Sequence, residues 1–145
     1  MNDLINYLKE LNNQKVLYSS AGGGNGSILL IQFENNSALW AWRYWEITYN
    51  DKLITNAEDD DTPIIGKMAV GANQLVNARV TNIILINENY NLGILFDNNY
   101  ELWLYTEMEE EEIYKSICNW EYHVPQHDIC YVVTSQLTIE ISKYY

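Results

Sequence analysis

Leu29, Ile31 and Phe33 fall at every second position of one run and so share a strand face, and the same spacing returns at Leu92, Ile94 and Phe96. A period of two is what a strand with one buried face requires, because successive side chains point to opposite faces. Asn35-Asn36 and Asn98-Asn99 follow, residue types that tolerate turn geometry. Each pair leads into an aromatic-rich run, Ala38 to Trp45 in the first stretch and Tyr100 to Tyr105 in the second. Both stretches therefore predict β-hairpins. Further strands are expected at 15–20, 52–56, 79–87, 118–124, 128–134 and 137–143, with NDK and PQHD as turns.

Helical spacing occurs twice. In NDLINYLKELN, Leu4, Ile5, Leu8 and Leu11 fall on one face of a helix. A second helix is expected from Thr62 as cap and Pro63 at the first helical position, with Ile65, Met68, Ala72, Leu75 and Val76 as its apolar stripe. Gly66 and Gly71 each weaken that helix by about 1 kcal/mol relative to Ala.

The two hairpins are near copies. Leu29 to Trp40 aligns with Leu92 to Trp103 at a shift of 63, with seven of twelve positions identical. Downstream, YWEI (Tyr44 to Ile47) meets NWEY (Asn119 to Tyr122) at a shift of 75, so the second copy holds twelve extra residues, around TEMEEEEIYKSI at 106–117. One such unit would expose an apolar sheet face, which two units can bury together. The expected fold is α+β and sheet-dominated, a single domain over 1–145. It is built of two pseudo-repeated units, about 1–60 and 61–145, each a helix followed by an antiparallel β-meander, packed as one sandwich or half-barrel. Trp40, Trp42, Trp45, Trp103 and Trp120 are expected in its core, with Trp40 and Trp103 at least half buried against sheet or helix neighbours.

Composition adds limits. A chain that is 48% hydrophobic and 19% charged is not a disordered one. The N-terminal stretch lacks the apolar core of a signal peptide, and no later run approaches about 18 apolar residues, so a cytoplasmic protein with no membrane partner is expected. In that reducing setting Cys118 and Cys130 are expected as buried thiols. Twenty Asp and Glu against eight Lys and Arg give a net charge of −12. That balance excludes a phosphate backbone as partner and favours a basic protein.

Catalytic chemistry has no foothold in the pattern. His123 and His127, in HVPQH, sit around a proline in a hairpin and not on a helix, so they are not a zinc-binding HExxH pair. AGGGNGS (21–27) is followed by a strand rather than a helix N-terminus and reads as a hairpin loop. Glu46 and Glu121 occupy equivalent positions and form a carboxylate pair only if the two units bring them together. No enzyme, cofactor or metal is expected. The acid concentrates instead in Glu58, Asp59, Asp60 and Asp61, and in Glu107, Glu109, Glu110, Glu111 and Glu112. These nine are the expected partner-binding residues, since charge complementarity speeds association while aromatic anchors hold.

With its F-D/E-N-N-x-x-L-W hairpin, a later W-E strand, an acidic Asn- and Ile-rich composition and no catalytic motif, the chain resembles the bacterial immunity proteins of polymorphic toxin systems. These include the partners of contact-dependent growth inhibition toxins. The resemblance implies an antitoxin that binds one cognate toxin domain, often a basic nuclease, in the cytoplasm. The alternative expectation is a small-ligand-binding or assembly module.

Overall fold

A computed structural model describes residues 2–143, with two helices and eleven strands among them. In chain order these are α1 (Asn2–Lys9), β1 (Val16–Ser20), β2 (Leu29–Phe33), β3 (Ala38–Ala41), β4 (Trp45–Tyr49), β5 (Lys52–Asn56), α2 (Lys67–Asn73), β6 (Val80–Leu85), β7 (Leu92–Phe96), β8 (Tyr100–Leu104), β9 (Trp120–Val124), β10 (Ile129–Val133) and β11 (Ile139–Lys143). They form two antiparallel sheets. The six-stranded sheet runs β1-β2-β3-β9-β10-β11 and the five-stranded sheet β5-β4-β8-β7-β6, and neither closes into a barrel.

The alternation read from the sequence decides which face turns inward. Leu29, Ile31 and Phe33 of β2, Leu39 of β3 and Trp120, Tyr122 and Val124 of β9 are buried on the inner face of one sheet. Trp45 and Ile47 of β4, Leu92, Ile94 and Phe96 of β7 and Leu102 and Leu104 of β8 are buried on the other, and all join one core. The helices cover the flanks between the sheets. Leu4 and Leu8 carry α1 onto β6, and the Tyr122 hydroxyl donates to the Tyr7 carbonyl at 2.9 Å to fasten it to the six-stranded sheet. Met68 and Ala72 carry α2 against β1 and β5.

Ala38 to Trp45 is not one strand. Residues 42–44 leave the six-stranded sheet after β3 and enter the five-stranded sheet as β4, and residues 105–119 make the reverse passage from β8 to β9. The two crossings hold each other: Trp42 N–H donates to the Asn119 carbonyl and Tyr105 N–H to the Tyr44 carbonyl, both at 3.0 Å. The other expected strands are present with ends trimmed by one or two residues, and 52–56 is unchanged.

The second helix differs more. Ile64 takes φ 70°, outside the helical region, so Thr62 to Gly66 form a turn and the helix begins after Gly66. Ile65, expected in the apolar stripe, is 77% exposed. Gly71 weakens the helix locally but permits its packing, since a Cβ there would stand 2.4 Å from the Thr55 methyl.

Candidate functional site

Arg43 and Tyr44 mark the end of the five-stranded sheet from which both acidic segments depart. On one side Ala57 N–H donates to the Trp45 carbonyl at 3.0 Å, so Glu58 leaves β5 alongside Tyr44. On the other, Tyr105 N–H donates to the Tyr44 carbonyl, so Glu107 leaves β8 on the opposite flank. Arg43 turns to the second segment: its guanidinium is 3.6 Å from a Glu107 oxygen, 3.4 Å from a Glu109 oxygen and 3.3 Å from the Tyr114 carbonyl. Tyr44 donates its hydroxyl to Glu46 at 2.8 Å. Burial, then the carboxylates of Glu46 and Glu58, push its phenol up to about 12.

The nine acidic residues fall into two kinds. Asp59 and Glu109 are half-buried, and the other seven are exposed. Asp59 accepts from the Thr55 hydroxyl at 3.1 Å and from its neighbour's N–H, so it shapes the loop. Asp60 accepts from the Thr62 hydroxyl at 2.6 Å and the Thr62 N–H at 3.0 Å, contacts that hold its carboxyl below the usual range. Among the described residues only Arg43 and Lys115 form ion pairs with any of the nine, leaving a large excess of negative charge.

The two clusters start together and end apart. The Asp61 carbonyl accepts from Gly23 N–H, in the turn after β1. Glu109 N–H donates to the Ser135 carbonyl, between β10 and β11. Those strands lie at opposite sides of the six-stranded sheet, and strand spacing places the cluster tips roughly 20 Å apart. The sequence pattern singles out the acids but not Arg43 and Tyr44 between them. Arg43 is one of only two arginines and is flanked by Trp42 and Tyr44, which was the signal available.

The tryptophans divide in the same way. Trp45 and Trp120 are fully buried, as expected. Trp40, Trp42 and Trp103 are only partly buried, because Leu39, Ala41, Leu102 and Leu104 take the inward positions and the pleat turns their neighbours out. On the outer face of one sheet Trp40 stacks on Trp42 with centroids 6.0 Å apart, and on the other Trp103 stacks on Tyr105 at 6.4 Å. Glu46 and Glu121 lie on these two separate faces, cross-strand from Trp103 and Trp40, so they do not form a carboxylate pair.

AGGGNGS forms the turn between β1 and β2, with a 3₁₀ segment at Gly23–Asn25. It borders an open groove of about 610 Å³ between β1 and α2, lined in part by Tyr18, Pro63, Ile64 and Val70. His127 lies 3.6 Å from Glu10 and against the Tyr7 ring, whereas His123 turns to Glu121 and Cys130, so the two histidines share no site. Cys130 is buried and Cys118 half-buried. Burial, then the Glu121 carboxylate, push Cys118 up to about 12 and Cys130 up to about 11, which keeps both protonated at neutral pH. No helix among the described residues is long and apolar enough to cross a membrane. Comparison with protein-family models, with curated proteins and with solved structures finds no match to this chain.

Proposed function

We propose that the protein is an immunity-type antitoxin that binds a basic toxin domain, such as a nuclease, through the acidic segments flanking Arg43 and Tyr44. The observation that carries this reading is the excess of exposed carboxylate at one end of the five-stranded sheet, with which only Arg43 and Lys115 form ion pairs among the described residues. A surface of that kind repels nucleic acid and attracts a basic protein, and the aromatic side chains beside it offer area for contact. Action in the cytoplasm belongs to the same reading. Co-expression with basic nuclease toxin domains, first any encoded next to this gene, tests the proposal: with the cognate toxin, cells survive with the natural chain and lose protection when the acids are replaced by amides. Survival that is indifferent to those replacements counts against it.

The open groove between β1 and α2 favours a second reading, a module that takes a small ligand or another chain. Exposed Ile64 and Val70 in its lining supply apolar surface.

We also infer that the chain is two pseudo-repeated units that exchange their last strands. Exchanging β1, β2, β3, β4 and β5 for β6, β7, β8, β9 and β10 converts the order of one sheet into that of the other, leaving β11 as an addition. Matched contacts support this. Lys15 N–H donates to the Glu34 carboxylate and Arg79 N–H to that of Asp97, and Lys15 and Arg79 meet in a β-bridge.

A further inference from the structure

The outer face of β9 and β10 gathers three side chains of types that ligate metals. Glu121 and His123 are two apart on β9 and so share a face, and Cys130 lies directly opposite His123 in the antiparallel register. Their neighbours Trp120, Tyr122, Val124 and Tyr131 point into the core, so the three point away from it.

Their separations are the useful quantity. Cys130 Sγ is 3.6 Å from His123 Nε2 and 3.7 Å from Glu121 Oε1, and His123 Nε2 is 3.4 Å from Glu121 Oε1. The last distance is long for an N–H···O hydrogen bond, which falls at about 2.7–3.2 Å. It is the right length for one edge of a coordination tetrahedron. With Zn–N, Zn–O and Zn–S bonds of about 2.0, 2.1 and 2.3 Å at tetrahedral angles, the N–O edge is about 3.4 Å and the N–S and S–O edges are about 3.6 Å. All three separations agree with those edges.

The surroundings also suit a metal. The Trp42 indole N–H donates to Glu121 Oε2, and the Cys118 thiol lies 3.8 Å from that same oxygen. Both contacts occupy the far oxygen and leave Oε1 turned toward His123 and Cys130, the arrangement by which outer partners orient a ligating carboxylate. The Trp40 ring, 5.7 Å from that of His123, flanks the imidazole. A cavity of about 310 Å³ lined by Trp42, Ile117, Cys118, Glu121 and Val132 opens beside the carboxylate.

The geometry points to a Zn²⁺ site formed by Glu121 Oε1, His123 Nε2 and Cys130 Sγ, with its fourth position directed outward. The mixed oxygen, nitrogen and sulfur donors suit a borderline ion such as zinc and do not suit calcium or magnesium, which take oxygen alone. Three protein ligands leave one place for water or an outside group, the pattern of an open zinc site. Binding exchanges the Cys130 thiol proton for the metal, and that proton passes to the buffer.

Titration of the reduced, metal-free chain with Co²⁺, followed by Zn²⁺ competition, tests this directly. One equivalent of Co²⁺ should give tetrahedral visible bands and a thiolate-to-cobalt charge-transfer band, and Zn²⁺ should abolish both. Cys130→Ser should remove the charge-transfer band, while His123→Gln and Glu121→Gln should each lose tight binding with unchanged far-UV circular dichroism. Trp42→Phe should weaken Zn²⁺ about tenfold, as loss of an outer-shell partner does. Cys118→Ser, whose hydroxyl can still donate to the far carboxylate oxygen, should keep the charge-transfer band and weaken Zn²⁺ less than Trp42→Phe does. Absence of a charge-transfer band in the natural chain, or equal binding by the Cys130, His123 and Glu121 variants, overturns the site. A band that also disappears in Cys118→Ser overturns the open fourth position.

Discussion

Trp45 and Trp120 stand in the same relation to their surroundings, one in each sheet. Both are fully buried at the first position of a strand that has just crossed between sheets. Trp45 donates its indole N–H to the Ser27 carbonyl at 2.7 Å, and Trp120 donates to the Tyr90 carbonyl at 2.9 Å. Each thereby satisfies its one polar atom and fastens a crossing to the segment just before β2 or β7.

Truncating either ring should therefore cost more than truncating an outer one. Trp45→Ala and Trp120→Ala are each expected to lower unfolding free energy by about 3–5 kcal/mol, the usual range for a buried aromatic. Trp40→Ala should cost less than half as much, because its ring lies on the outer face. Urea denaturation measures all three. Equal losses at Trp40 and Trp45 would mean that the outer aromatic stack is as important to stability as the core.

The difference between these tryptophans was beyond the reach of the pattern, for a physical reason. Alternation identifies strands and pairs of faces, so the hairpins at Leu29 and Leu92 were legible. It does not say which face is covered, and a Trp follows a Leu in both motifs, as Leu39-Trp40 and as Leu102-Trp103. Nor does it record that a chain changes sheet. Trp42, Arg43 and Tyr44 keep the aromatic, extended character of a strand while linking two. Thr62-Pro63 looked like a helix start, but Ile64 adopts a left-handed conformation and delays the helix past Gly66. The concentration of acid was plain from composition, whereas the position of Arg43 between two acidic segments depended on pairing across the β4–β8 junction. The approach of Cys130 to His123 likewise depended on the register set by the Pro125–His127 turn.

Gly71 tests how closely α2 packs. Replacing a helical glycine with alanine ordinarily adds about 1 kcal/mol of stability. Here the new Cβ would fall 2.4 Å from the methyl of buried Thr55, whose hydroxyl also holds Asp59. Overpacking of this kind costs about 1–3 kcal/mol, so Gly71→Ala should destabilise the fold on balance. Combining it with Thr55→Ser, which deletes the opposing methyl, should recover most of the loss in thermal melts.

Alkaline pH should weaken the fold through Tyr44. Its phenol is pushed from an ordinary value of 10 up to about 12 by burial and by the carboxylates of Glu46 and Glu58. The folded state thus favours the protonated form. That contribution is fully present below about pH 10, where even the unfolded chain is protonated, and is lost as pH rises through about 12. Denaturation midpoints measured from pH 9 to 12 should fall less steeply for Tyr44→Phe than for the natural chain. Identical slopes would show that the Tyr44 hydroxyl ionises as easily in the folded state as in the unfolded one.

Residues 1–60 place β4 and β5 in a sheet whose other strands come from 61–145, and the second segment places β9, β10 and β11 in the sheet of the first. If these are exchanged units, neither fragment can bury its own sheet faces. Each alone should lack a cooperative thermal transition, and an equimolar mixture should regain one. Independent cooperative folding of either fragment would argue against the exchange.

The acidic segments offer the last test, because their geometry makes a quantitative demand. Replacing Glu109, Glu110, Glu111 and Glu112 with Gln should slow association with a basic toxin domain and flatten its dependence on salt, since steering by exposed charge is screened within a Debye length. Glu110, Glu111 and Glu112 are exposed, so folding should change by under about 0.5 kcal/mol from those three, with any larger loss traceable to Glu109 and its contact with Arg43. On the other side, Glu58→Gln and Asp61→Asn alter charge while sparing Asp59 and Asp60, which shape the loop. The tips of the two segments lie well beyond the separation at which substitutions couple, about 7–10 Å. Their effects on binding free energy should therefore add, each segment meeting its own patch of the partner. Stopped-flow association rates for the two variants and their combination decide the matter. A combined effect no larger than that of either variant alone would place only one segment against the toxin, and unchanged rates in all three would move the interface to the outer tryptophan faces.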